Sequence, residues 1–152
     1  MIMVVNNMKI AIGSDHGGFL LKEDVKQYLI DAGYDVEDVG TYSLDSCHYP
    51  EFAAKCAKLV SEGVCQYGII FCTTGEGITM AANKIKGVRA GIGYNLEVSR
   101  LMREHNDANI ITFGAKFTSK EDAIERINIF LNTKFLEGRH AIRVQMIKDL
   151  EK

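Results

Sequence analysis

The sequence predicts an α/β protein: a three-layer α/β/α sandwich with a five-stranded parallel sheet and an extra helix at the C-terminal end. Two observations carry that prediction. Short apolar runs alternate five times with stretches of helical period, and one more helical stretch follows the last pair. The chain also has a single proline and no internal repeat, low-complexity segment or linker, which fits one compact domain.

Each element has its own signal. "MKIAIG" (8–13) reads as a short buried strand. "FLLKEDVKQYLIDAG" (19–33) reads as a helix, with Leu20, Leu21, Val25, Tyr28 and Leu29 at helical spacing and Gly33 closing it. "YDVEDVG" (34–40) alternates and stops at a glycine, as a strand does. Pro50 suits a helix start, and "EFAAKCAKLVSEG" (51–63) follows as the helix. "YGIIFC" (67–72) is the second clearly buried strand, followed by a helix over 77–85 and a strand over 87–93. The stretch 95–106 is amphipathic, "ANIITFG" (108–114) is the fifth strand, and Ser119 is a good N-cap for a helix over 119–133. A terminal helix spans 139–152. The arrangement is Rossmann-like. Such sheets bind ligands beyond the carboxyl ends of their strands, where the strand order reverses. In the common order 2-1-3-4-5, that point lies between the first and third strands. Their ends carry the two most unusual loops, "GSDHGG" and "FCTTGEG", which are therefore expected to face each other.

Composition excludes several classes. The chain has 152 residues, 47% of them hydrophobic, enough for one domain with a real core. Its net charge is −2 with both signs mixed, so no basic stripe suggests nucleic acid. The opening "MIMVVNNMKI" is too short to span a membrane and lacks the basic flank of a signal peptide. The expectation is an N-terminal extension over 1–7, a single domain over 8–152, and a soluble cytoplasmic protein. Cys47, Cys56, Cys65 and Cys72 form no C-x-x-C pair and no zinc spacing, so reduced thiols are expected rather than a metal site.

Chemistry concentrates in four places. Cys72 ends a buried strand about one turn before a helix N-terminus, which stabilises negative charge, thiolate included. Gly75 and Gly77 let backbone N–H groups converge on an anion, and Thr73 and Thr74 add hydroxyls. The plain alternative is a small buried core cysteine, and the longer dinucleotide fingerprint is absent. Asp15 caps the next helix or serves a ligand loop with His16, which can hydrogen-bond a phosphate. His105, Asn106 and Asp107 end a helix just before a strand, where asparagine is also an ordinary C-cap. Arg139 and Arg143 share a face at the start of the last helix, with His140 between them. Two arginines there oppose the helix dipole unless an anion sits with them, and their forks suit phosphate. Together these residues are a parts list for proton transfer on a phosphorylated small molecule.

At this point the chain resembles a known family, the ribose-5-phosphate isomerase B group, which also includes galactose-6-phosphate isomerase subunits. The matching stretches are "KIAIGSDHGGFLLK", "YP" at 49–50, "GIIFCTTGEGITMAANKIKGVRA", "SRLMREHNDANIITFGAK" and "GRHAIRV". The resemblance implies the fold described above and aldose–ketose isomerisation of a phosphosugar through an enediolate. It implies Cys72 as the base that moves a proton between C1 and C2, with the backbone from Thr73 through Gly75 and Glu76 to Gly77 holding the enediolate oxygen. Thr74 and His105 match residues linked to opening the furanose ring. Asp15 and Tyr49 match residues that orient the sugar, Asn106 lies beside His105, and His16, Arg139 and Arg143 match the phosphate side. No metal or organic cofactor is implied. A homodimer or homotetramer is implied, with each site built from two chains and His105 supplied by the partner.

Three departures from the family pattern bear on rate and substrate preference. Thr73 stands where the family usually has glycine, and a side chain there is expected to narrow the anion hole or change its backbone angles. Glu76 adds a negative charge beside the developing enediolate at a position that is often apolar. It is no substitute base, because the glutamate base of some members corresponds to Ile78 here. Lys116 replaces a phosphate-facing arginine, keeping charge and losing the fork. Ribose 5-phosphate and ribulose 5-phosphate are the expected substrates. The alternatives are allose 6-phosphate or another hexose phosphate, a non-catalytic sugar-phosphate-binding protein, and a thiol redox sensor. The last needs a second cysteine near Cys72, and Cys65 lies seven residues upstream at the other end of the strand.

Overall fold

The computed structural model describes residues 8–151, so the extension expected over 1–7 lies outside the described residues. β1 (Lys9–Ser14), β2 (Asp35–Asp38), β3 (Tyr67–Cys72), β4 (Ala90–Ile92) and β5 (Ile110–Gly114) form one parallel sheet in the order β2-β1-β3-β5-β4. The expected order put β4 inside and β5 at the edge. The reverse holds because β5 is buried at all five positions, whereas β4 has only three residues and none is fully buried. An interior slot needs a strand that is apolar on both faces. The switch between β1 and β3 is unaffected.

Alternation along the strands divides the core. Ile10, Ile12, Ile69, Phe71, Ile111 and Phe113 point to one face, covered by α1 (Phe19–Asp31), α4 (Leu96–Glu104) and α5 (Lys120–Leu131). Ala11, Ile70, Cys72 and Ile110 point to the other, covered by α2 (Tyr49–Ser61) and α3 (Glu76–Ala82). α6 (Arg139–Asp149) is different, because it buries only His140 and Val144 against its own chain.

Element ends follow local chemistry. Ser119 caps α5 by accepting from the Asp122 amide at 3.1 Å, and Asn95 caps α4 by accepting from the Val98 amide at 2.7 Å. α2 takes in Tyr49 ahead of Pro50, which sits in its first turn where no N–H is needed. α3 stops at Ala82, short of the predicted 85. There the Asn83 side chain leaves the helix pattern and bonds both backbone groups of Ala90, at 2.8 and 3.0 Å. β2 ends at Asp38, two residues before Gly40 takes a φ of 98°.

Phe130 is fully buried, edge-on to Tyr67 at 5.3 Å, with the Arg103 guanidinium 5.8 Å from its ring centre. Phe130→Ala is expected to cost about 3–5 kcal/mol in urea unfolding. A loss under about 1 kcal/mol would mean that the α5 layer collapses into the gap.

Candidate active site

The loops after β1 and β3 do meet, and glycines at the contacts explain why. A Cβ on Gly17 would collide with the Thr73 hydroxyl, and one on Gly18 would come within 2.6 Å of the Phe71 backbone. The β3 loop also presses on the end of β5. A Cβ on Gly75 would lie 2.9 Å from the Gly114 nitrogen, and one on Gly114 would lie 2.5 Å from the Thr74 oxygen. Gly75 has a φ of 81°, the left-handed region that glycine enters at no steric cost. Tyr49 packs its ring over Gly77, so close that a Cβ there would sit 2.6 Å from the ring. Asp15, His16, Tyr49, Cys72, Thr73, Thr74, Gly75, Glu76 and Gly77 therefore gather at the carboxyl edge of the sheet.

Cys72 is 5% exposed, and its Sγ accepts a hydrogen bond from the Gly75 amide at 3.2 Å. Two further cysteines, Cys56 on α2 and Cys65 ahead of β3, are buried in the core. Desolvation pushes the Cys56 thiol up, and desolvation followed by Glu37 pushes the Cys65 thiol up, so both are packing residues. Asp15 does cap, as its sequence context allowed: its Oδ1 accepts from the Gly18 amide at 3.1 Å. His16 Nδ1 accepts from the Cys47 amide at 3.3 Å, which places the ring proton of the neutral form on Nε2. Thr74 Oγ1 accepts from the Glu76 amide at 3.2 Å, and the Thr73 carbonyl accepts from the Lys116 amide at 3.1 Å. Two of the departures read from the sequence gain a location. Thr73 fills the gap beside Gly17, and Glu76 is solvent-exposed in the first turn of α3, where a carboxylate suits the helix dipole.

The remaining predicted residues lie elsewhere. His105 follows α4 and precedes β5, at the amino edge of the sheet. Its ring stacks on His140 at 4.3 Å and 10°, which brings the start of α6, with Arg139 and Arg143, to the same edge. Desolvation, then His105, Arg139 and Arg143, hold His140 below the usual histidine range. Cys72 pairs with Gly114 in register and Gly68 with Ile110, so roughly 13 Å of strand separates the two edges. One chain does not bring His105, Asn106, Arg139 and Arg143 to Cys72.

Sequence reasoning missed what holds the second cluster. Asp107 has a φ of 48° and is fixed by two arginines: Arg103 Nη1 donates to its Oδ1 at 2.8 Å and Arg89 Nη2 to its Oδ2 at 3.2 Å. Arg89 Nε also donates to the Asn106 carbonyl at 3.1 Å, so both arginines shape the His105–Asn106 turn. The Arg103–Asp107 spacing of four was a legible signal. The Arg89 contact is long-range and was not. A cavity of about 600 Å³ lies near this edge, lined by Lys84, Arg89, Asn106, Ile147 and Leu150 among others, and Cys72 takes no part in it.

Comparisons with known proteins identify the family and the fold. A family model described as Ribose/Galactose Isomerase matches residues 10–147. The chain belongs to that family. Ribose-5-phosphate isomerase B of Escherichia coli is 38% identical over 143 residues, covering 94% of this chain and 96% of that one. The structure of ribose-5-phosphate isomerase B from Clostridium thermocellum superposes with a TM-score of 0.93 at 44% identity, covering 95% of this chain and 97% of that one. The family member from Mycoplasma genitalium, solved with bound ribulose-5-phosphate, gives a TM-score of 0.92 at 34% identity, covering 96% and 97%.

The αL glycine and its contact with β5 generate a prediction. Gly75→Ala is expected to lose about 1–2 kcal/mol from backbone strain alone, read from the urea midpoint. An unchanged midpoint would show that the β3 loop moves off Gly114 without penalty.

Proposed function

We propose that this chain interconverts ribose 5-phosphate and ribulose 5-phosphate through an enediolate, with Cys72 moving the proton. The observation that carries the reading is the placement of Cys72 at the switch between β1 and β3. Its sulfur faces the Gly75 amide there and is flanked by the Asp15–His16 loop. A thiolate accepts that N–H bond better than a neutral thiol does. Once the sugar ring is open, the thiolate takes the proton from C2. The C2–H electrons form the C1–C2 double bond, and the carbonyl electrons move onto O1. Return of that proton to C1 and transfer of the C2 hydroxyl proton to O1, as the C1–C2 electrons shift to C1 and C2–O becomes the carbonyl, give the ketose. Backbone N–H groups of the Thr73–Gly77 loop oppose the charge on the enediolate oxygen. Elsewhere, loss of one such donor costs about 3–4 kcal/mol. Asp15 and Tyr49 orient the sugar, His16 Nε2 faces the phosphate, and Thr74 and His105 assist ring opening.

This assignment requires two chains. His105, Asn106, Arg139 and Arg143 belong to the edge opposite Cys72, so a partner's amino edge must meet this chain's carboxyl edge. A two-fold axis does this twice, giving two identical sites. The face of α6 and its C-cap support such a partner: Ile142, Met146 and the cap residue Leu150 are 67, 63 and 78% exposed. Among the described residues no helix is long and apolar enough to cross a membrane, and all four cysteines are unpaired. A reducing compartment such as the cytoplasm fits those thiols.

Cys72→Ser is expected to abolish ribulose 5-phosphate formation from ribose 5-phosphate while the circular dichroism spectrum stays unchanged. Turnover near the wild-type rate would remove Cys72 as the base. The shared site has its own test. Co-refolding Cys72→Ser chains with His105→Ala chains, each inactive alone, is expected to restore about a quarter of wild-type activity, because each mixed dimer keeps one intact site. Mixtures as inactive as their parents would mean that both residues act in one chain.

A further inference from the structure

We propose that Lys22 is a positioning residue for the substrate loop, a strut that locks Asp15 and His16 in place through Asp38. Lys22 lies in the first turn after the His16–Gly18 segment and is completely buried. A lysine is almost never fully buried unless it is paired. Its Nζ donates to Asp38 Oδ2 at 2.7 Å, and Phe19 and Tyr42 place their rings within 5.4 and 5.6 Å of the ammonium.

The contact closes a ring around the loop. Asp38 Oδ1 accepts from the Gly40 amide at 2.9 Å. The Gly40 carbonyl then accepts from the Ser14 amide at 2.7 Å, and the Ser14 carbonyl accepts from the Thr41 amide at 2.7 Å. Ser14 is the residue immediately before Asp15. Its Oγ is buried without a hydrogen-bond partner, so backbone bonds, not its side chain, set its position: these two towards β2, and on the other side the pairing with β3, where the Asp15 amide donates to the Phe71 carbonyl at 3.3 Å. The downstream end of the loop is thus tied by Lys22 to the end of β2, and the upstream end is tied to the same place by Gly40 and Thr41. Between the two ties lies the Asp15 cap on Gly18. Desolvation alone would raise the Asp38 carboxyl. The hydrogen bonds from Lys22, Gly40 and Lys26 outweigh it and hold the group below the usual carboxylate range.

Stability alone is a weak reason for such a pair. A buried ion pair often contributes no more than well-packed apolar residues in its place. Geometry at the loop is the better account. Lys26 is the internal control. It reaches the same Asp38 Oδ2 at 3.0 Å but is only partly buried and sits one turn further from the loop. It also keeps Asp38 paired when Lys22 is replaced, so Lys22→Met is expected to fold.

The inference rests on the isomerase reading in one respect, that Asp15 and His16 hold the sugar phosphate. Two readouts keep the two separate. The first is steady-state kinetics with ribose 5-phosphate, well below the unfolding temperature. Lys22→Met is expected to raise KM at least tenfold, Lys22→Arg to recover part of that loss, and Lys26→Met to leave KM within twofold of wild type. The second is amide hydrogen exchange, which needs no turnover. The Gly18 and Ser14 amides are expected to exchange at least tenfold faster in Lys22→Met, with Ile111 and Ile127 unchanged. If Lys22→Met does not fold, Asp38→Asn is measured for the same two effects. An unchanged KM and unchanged loop protection, equal effects from Lys22→Met and Lys26→Met, or a uniform loss of protection through the core would each overturn the strut. A wild type that does not turn over ribose 5-phosphate would instead overturn the isomerase reading, and the exchange data alone would then decide for or against the strut.

Discussion

A parallel sheet has a direction, and every chemically useful side chain in this protein inherits it. Each strand delivers its following loop to the carboxyl edge and receives the preceding turn at the amino edge. Cys72 and the loop after Ser14 belong to strand ends, while His105 belongs to a strand approach. No side-chain rotation crosses a sheet of this depth. The choice of strand and the side of it on which a residue falls decide whether two groups meet within one chain or across a pair of chains. The sandwich core, packed on both faces, makes that polarity rigid.

Much of this was legible in the sequence. Buried runs such as "YGIIFC" and "IITFG" announced strands because apolar continuity over five or six residues has few other uses. Caps such as Ser119 marked helix starts because a side-chain oxygen three residues ahead of an amide is a local matter. The order of β4 and β5 was less legible. It depends on which strand is covered on both faces, and that follows from helices distant in sequence. The short "AGI" of β4 contained the hint, but a three-residue strand is a weak pattern.

The site divides in the same way. The two glycine-rich loops stood out as sequence motifs, and their meeting followed from topology. The two halves of the site also stood out, and element order placed Cys72 at a strand end and His105 before a strand, but nothing in the spacing tells to which edge the start of α6 returns. The supporting charges were least visible. Arg89 reaches the carbonyls of Asn106 and Asp107 from another element. Lys22 looked like one more polar position on an amphipathic helix until its burial against Asp38 was apparent. Charged side chains are read from sequence as surface, and these two residues act from buried or partly buried positions.

The glycine contacts around Cys72 divide the loop into two kinds of position. Gly75 and Gly114 press on neighbouring backbone so closely that an added side chain must shift it, and Gly17 has the Thr73 hydroxyl in the space a side chain would take. Thr73, Thr74 and Glu76, interleaved with them, are exposed. Variation is therefore channelled. Descendants of this sequence can change the size and charge of the rim at Thr73 and Glu76 while the sulfur stays where it is. Drift at Thr73 and Glu76 therefore leaves the contact between the Cys72 sulfur and the Gly75 amide in place.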